Sequence, residues 1–231
     1  MPLTLAHPAA VLPLWRWRRH LPFPALVVGS MAPDFEYLLY LRPASGIGHT
    51  PLGVLLVSLP LAAIMFALLH ALWLPALRQW LDWPTQAARP SLAAIVLALL
   101  LGIGSHLLWD GFTHRTSPLV QALPGMLVLI HGVPLFHWLQ HASTAIGLCA
   151  IALFGLRVIR PILGIASWMR LCWLLFALWG AALLPGIANA MRVSRLELQL
   201  AYLACGTMAA FVVLASVLAA WCRWRGRWGQ G

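Results

Sequence analysis

Imidazoles and carboxylates recur together in this chain at spacings that suit a divalent cation. His106 and Asp110 stand four residues apart in Ser105-His106-Leu107-Leu108-Trp109-Asp110, and His114 follows at the same interval. On an α-helix such residues share a face, with Cβ atoms roughly 5–6 Å apart. Two of them reach a single ion at about 2 Å ligand distances. His114 comes after Gly111, so it either bends back to the same ion or serves a second one. The plainer alternative is a buried His106–Asp110 ion pair that fixes helix packing.

A second carboxylate, Asp34, follows Pro33 after the small-residue run Val28-Gly29-Ser30-Met31-Ala32. Gly29 permits close backbone approach, and Pro33 biases Ala32 toward an extended shape. A carboxylate presented from such a bend suits a bridging metal ligand. It equally suits the N-cap of a helix over 35–41, and the two roles are compatible. Asp34 and Glu36 would point about 200° apart on a helix. Only one of them is then expected to touch the ion, and Asp34 is the better placed. His49, in Gly46-Ile47-Gly48-His49-Thr50-Pro51, and His7, in Leu5-Ala6-His7-Pro8, each open an apolar stretch. Alone, each reads as an interfacial histidine; beside Asp34 and Asp110 they read as parts of one site. His137 and His141 form another i, i+4 pair and are secondary candidates, expected at the same membrane face as 110–114. His20, His70 and His131 have no partner at helical spacing and read as interfacial or core.

The elements that must position these groups are hydrophobic. The sequence is 62% hydrophobic and 9% charged, with a mean hydropathy of +0.87, whereas soluble domains carry roughly 25% charged residues. An all-α, multi-pass transmembrane helix bundle is expected, forming a single integral membrane domain over 1–231. Ionisable groups in such surroundings are costly and mark function by default. Five apolar runs, near 51–74, 91–110, 142–160, 168–189 and 197–221, meet the length of about 20 residues that a crossing needs. The segment 22–41 is a sixth candidate, interrupted by Pro33. Residues 3–15 are too short to cross as an α-helix and predict a half-inserted or interfacial helix. The Pro- and Gly-rich stretch 115–136 predicts a re-entrant or irregular connection, and 75–90 an interfacial loop.

All fifteen basic residues are arginine, and the net charge is +10. They are scattered in short loops and at the ends of apolar runs. That distribution speaks for topology and lipid headgroups, not nucleic acid. If 22–41 crosses, eleven arginines lie on one side and four on the other; otherwise the split is seven to eight. The first division follows the positive-inside rule, favours six crossings and puts both termini in the cytoplasm. On that topology His7 precedes the cytoplasmic arginines while His49 and Asp110 lie toward the outer face. A shared site therefore requires the first helix to dip into the bilayer, or 1–41 to fold back without crossing. Thirteen tryptophans, several beside arginines, suit an interfacial belt. Arg16, Arg18 and Arg19 follow the first apolar stretch, the reverse of a secretory signal. The four cysteines are single, without CxxC spacing, and read as small core residues. Glu197 reads as an exposed partner of Arg192 and Arg195, and Asp82 as a loop residue.

Several ordered motifs over roughly 1–150 carry a family resemblance. They are Met1-Pro2-Leu3-Thr4-Leu5-Ala6-His7-Pro8, Gly29-Ser30-Met31-Ala32-Pro33-Asp34-Phe35-Glu36, His49-Thr50-Pro51-Leu52-Gly53, Ser105-His106-x3-Asp110-Gly111-x2-His114 and Pro134-Leu135-Phe136-His137. The chain resembles a bacterial membrane family, domain of unknown function 4184. That family is in turn similar to the YdjM-like group of inner-membrane metal-dependent hydrolases, whose pattern is an early Thr-His, a Pro-Asp-x-Asp, a His-x4-His-Ser region and Ser-His-x3-Asp. Two positions depart from it: Glu36 replaces the second aspartate, and the doubled histidine motif is reduced to His49-Thr50.

The resemblance implies His7, Asp34, His49, His106 and Asp110 as ligands of one or two divalent ions, zinc foremost. Glu36 or His114 would be general base or orienting group. The resemblance implies a metal-dependent hydrolase; a site opening near the interface makes the expected substrate an ester or phosphoester of an amphipathic, lipid-like molecule in the inner membrane, with membrane lipids as partners and 115–136 as a gate. An ion- or proton-coupled transporter, or a non-catalytic scaffold with a structural metal, is the alternative.

Overall fold

The computed structural model describes residues 3–43, 46–81 and 90–228. Five of its helices are long and apolar enough to cross a bilayer: α3 (Pro51–Leu81), α4 (Leu92–Gly111), α6 (Leu135–Leu163), α7 (Ile165–Ala190) and most of α8 (Leu196–Trp228). They overlap the five apolar runs, but α3 continues as helix to Leu81, so the interfacial loop expected over 75–90 is helical over 75–81, and 82–89 lie outside the described residues. Their outward residues are leucine, isoleucine and phenylalanine, such as Leu97, Ile146, Phe176 and Leu184. Only 6% of the most apolar window of α6 is buried within the protein. In water that surface would be an aggregation site; in a membrane it faces acyl chains. The protein is a multi-pass membrane protein.

The segment 22–41 is a broken helix rather than a sixth long one: α1 (Phe23–Met31), a 3-10 turn Ala32–Asp34, and α2 (Phe35–Tyr40). Pro33 removes a backbone donor at the break. The stretch 115–136 is irregular, as expected. It holds α5 (Pro118–Ala122), a 3-10 turn Pro124–Leu127 and the short strands β1 (Leu129–Ile130) and β2 (Val133–Pro134). His131 and Gly132 join the strands with φ of 51° and 78°, the backbone of a tight hairpin turn. His131 is thus a turn residue.

Contacts gather into two compact units. One comprises Met1–Asp34, Ile47–Ala63 and Arg89–Val158. Here α1 crosses α4 where Gly29 meets the Leu99 carbonyl and Gly102 meets the Leu26 carbonyl; a Cβ at Gly102 would sit 2.6 Å from Ser30 N. No larger residue permits that approach. Residues Thr4–Trp17 form a 3-10 helix, not an α-helix. Pro8 and Pro13 each delete a donor and would clash with the preceding turn of an α-helix. At 2.0 Å per residue this helix is about 28 Å long. Leu3 N donates to Thr144 Oγ1 at 3.1 Å, and Trp15 packs edge-on against Phe154 at 5.3 Å. It therefore runs alongside the spanning helix α6, which brings His7 into the same unit as Asp34, His49, His106 and Asp110.

The other unit comprises Phe35–Gly46, Ile64–Ala88 and Ile159–Gly231. In it α7 and α8 pack through Gly186 and Gly206. Asn189 Nδ2 donates to the carbonyls of Leu41 (2.7 Å) and Tyr202 (2.8 Å), tying the end of α2 to α7 and α8. Among the cysteines only Cys205 is buried; Cys149 and Cys172 are exposed and Cys222 is half-buried. The expectation of four core thiols is corrected accordingly, because the outer face of a spanning helix is as apolar as a core. Asp82, within 82–89, and the side chain of Glu197 lie outside the described residues.

Candidate metal centre

Four separate stretches of the first unit deliver one side-chain cluster. The 3-10 helix Thr4–Trp17 brings His7, the break after α1 brings Asp34, the turn before α3 brings His49, and the last turns of α4 bring His106 and Asp110. His106 Nε2 lies 3.2 Å from Asp110 Oδ2 and 3.6 Å from Asp34 Oδ1. His49 Nε2 lies 3.6 Å from each of the same two oxygens. These four atoms close a ring whose edges are all 3.2–3.6 Å. Ligand atoms bound tetrahedrally at about 2.0–2.2 Å are about 3.4 Å apart. The four edges match that spacing.

His7 completes the set from the other side. Its Nε2 is 3.6 Å from Asp110 Oδ1, and its ring stacks on His106 at 3.8 Å. Its ligand atoms group with those of Asp34 and His106 within 4.8 Å, as do those of His49, His106 and Asp110. Asp110 therefore turns one oxygen toward His7 and the other toward His49 and His106, the disposition of a bridging carboxylate.

Burial is the test of whether a cation fits. Asp34 and His106 are wholly buried, His7 and Asp110 nearly so. Yet His7 Nε2, Asp34 Oδ1, His106 Nε2 and both Asp110 oxygens make no hydrogen bond. Their mutual distances are ion-pair contacts without hydrogen-bond geometry. Buried polar atoms are ordinarily satisfied, and a carboxylate left so in an apolar interior costs several kcal/mol (order of magnitude). One or two divalent ions among these atoms would satisfy them. The charge at His49 agrees. Burial pulls its pKa down, but the Asp110 and Asp34 carboxylates beside it prevail and raise it to about 9. The two carboxylates thus favour a positive charge beside them, which a protonated His49 carries and a divalent ion bound there would carry in its place.

The surrounding hydrogen bonds aim the ligands. His106 Nδ1 lies 2.8 Å from the Ser30 carbonyl, which assigns it the proton and leaves Nε2, the nitrogen facing the cluster, free to bind an ion. Thr4 Oγ1 donates to Asp34 Oδ2 at 2.6 Å, leaving Oδ1 for the cluster. Ser58 Oγ donates to the Gly48 carbonyl at 2.8 Å, and Thr50 Oγ1 to that of Ile47 at 2.7 Å, bracing the His49 turn. Thr4, Ser30 and Ser58 carry no chemistry in a linear reading. Only for Thr4 is there a local signal, since positions three apart eclipse on a 3-10 helix and Thr4 is three before His7.

His114 stands at the rim, 29% exposed, with Nδ1 3.6 Å from Asp110 Oδ2 and 3.1 Å from the Asp110 carbonyl. Glu36 is buried on α2, in the second unit, where its carboxylate fills the space that a side chain at position 46 would need. His137 and His141 are exposed on α6 with rings 6.5 Å apart, and neither belongs to either ligand group. His20 and His70 are exposed as well.

The family profile described as Domain of unknown function (DUF4184) matches residues 1–221, nearly the whole chain. The chain belongs to this family. Every clustered residue falls inside the DUF4184 match, which extends well past the ordered motifs into α7 and α8. No curated protein and no solved structure matches the chain.

Proposed function

We propose that this DUF4184 protein is a membrane-embedded metal-dependent hydrolase. It would cleave an ester or phosphoester of an amphipathic, lipid-like substrate, using one or two divalent ions, zinc foremost. The observation that carries the reading is that the buried atoms Asp34 Oδ1, His106 Nε2 and Asp110 Oδ2 make no hydrogen bond, while His106 Nε2 stands 3.2 Å from Asp110 and 3.6 Å from Asp34. Imidazole and carboxylate ligands suit zinc among the available divalent metals. A zinc ion held there would supply Lewis acidity and lower the pKa of a water to about 7.

The chain's own groups have distinct tasks. His106, Asp110, Asp34 and His49 hold the ion, and His7 holds the outer oxygen side of Asp110 for the same or a second ion. His114 is the proton carrier: with Nδ1 turned to the Asp110 carbonyl, Nε2 is the nitrogen that takes up and returns a proton at the half-open rim. The transporter alternative requires acidic residues strung from face to face. Among the described residues of the first unit, Asp34 and Asp110 meet at one point instead, which favours the enzyme. An inner-membrane location with cytoplasmic termini fits the arginine distribution if the broken helix 22–41 crosses as a sixth span, which gives the eleven-to-four division; with the five long spans alone the arginines divide seven to eight.

Elemental analysis of the purified protein tests the centre. Wild type is expected to carry about one or two equivalents of metal, and Asp34→Ala and Asp110→Ala less than about a tenth of that, with helical content unchanged. Low metal in all three proteins, after growth with zinc and manganese, overturns the reading. Metal retained without release of headgroup or fatty acid from extracted bacterial lipids would assign the ion a structural role.

A further inference from the structure

A trough of about 580 Å³ opens between the 3-10 helix, α4 and α6, and it reaches the metal centre. One wall is the stripe Leu139, Ala142, Ile146 and Ala150 of α6. These positions recur at one-turn intervals and extend about 16 Å at the rise of an α-helix. The opposite wall is Ala9, Ala10 and Pro13 of the 3-10 helix. Where the helices touch, Gly147 lies so near Ala6 that a Cβ there would sit 3.0 Å from its carbonyl. Beside that contact the alanines are too small to fill the gap.

Three facts select an occupant. First, α4 and α6 are spanning helices, so the trough lies at hydrocarbon depth, where the surrounding medium is acyl chain. Secondly, its walls are apolar except for His7, Thr113 and Ser143, and an apolar hollow does not hold water. Thirdly, its one titratable lining group is His7, a member of the metal cluster. The length of about 16 Å is close to half of a 30 Å hydrocarbon core, the depth of a single leaflet.

We propose that this trough holds one hydrocarbon chain of a membrane lipid, lying along Ala9, Ala10, Pro13 and Ala150 with its polar linkage beside His7. The chain site deepens the hydrolase reading, on which it rests only for what happens at the linkage. It makes the substrate a bilayer lipid presented from the side, one chain drawn out of the leaflet, rather than a water-soluble ester.

The test uses wild-type protein in nanodiscs of phosphatidylethanolamine and phosphatidylglycerol, with a small fraction of the latter bearing a mid-chain diazirine. After photolysis and digestion, label is expected on the peptides containing Ala9–Pro13 and Ala150 at about tenfold or more over the lipid-facing Phe176 and Leu184 of α7. Ala150→Trp, and independently Ala9→Phe, should each remove that excess while metal content stays at the wild-type level. Equal labelling of trough and outer faces overturns the proposal, as does full labelling in both filled variants. Excess labelling that persists in Asp110→Ala supports the trough even where the hydrolytic reading fails.

Discussion

At the scale of single residues, the cluster is governed by what each ligand's other atom does. Asp34 turns Oδ2 to Thr4 and Oδ1 to the centre, and His106 turns Nδ1 to the Ser30 carbonyl and Nε2 to the centre. Such partners typically contribute 10–100-fold in metal affinity. Thr4→Val keeps the side-chain volume and removes the donor. It is expected to weaken zinc binding about 10–100-fold with the fold intact, read by competition with a chromogenic chelator; Thr4→Ser should restore most of the loss. Unchanged affinity in Thr4→Val would show that Asp34 needs no orienting partner. The residues that cluster were legible in the sequence because carboxylates are rare among apolar residues. Thr4 was not, because threonine is common and its bond to Asp34 spans 30 positions.

At the scale of elements, two glycines bring α1 and α4 together and thereby set the Ser30 carbonyl on His106. A side chain at Gly102 would overlap the backbone of α1, whereas one at Gly104, two positions on, meets nothing within 4 Å. Gly102→Ala is therefore expected to cost about 1–3 kcal/mol or more and to reduce metal content. Gly104→Ala should be neutral or gain about 0.5–1 kcal/mol from helix propensity. Thermal unfolding of the two variants side by side checks this; equal behaviour would remove the close crossing from the account. The 3-10 form of Thr4–Trp17 belongs at this scale too. An apolar stretch read as an α-helix is too short to cross, but two interior prolines impose a narrower, longer helix that places His7 at the depth of His106 and Asp110.

For the molecule as a whole, the centre draws on 3–34, 47–63 and 90–111, stretches with no local reason to meet. A ligand that binds only the folded arrangement stabilises it, by about 2.7 kcal/mol at a hundredfold excess over Kd. For a chain of this length that raises Tm by about 5–10 °C. Zinc is expected to produce such a rise in wild type, EDTA to reverse it, and neither to move Asp110→Ala. A Tm indifferent to both would mean that the cluster is already satisfied without a cation.

What the linear order determined is whatever depends on neighbours in the chain. Hydropathy sums over a window of about 20 residues, so the five spanning helices were legible. The i, i+4 relation of His106 and Asp110 follows from helical periodicity alone. Only the tertiary structure decided which histidines join them. His49 and His7 are recruited to the cluster, while the equally spaced His137 and His141 stay on an exposed face. The reason is physical: contacts such as Leu3 to Thr144, 141 positions apart, are set by glycine clearances, proline geometry and the packing of whole helices, none of which leaves a periodic mark on the sequence.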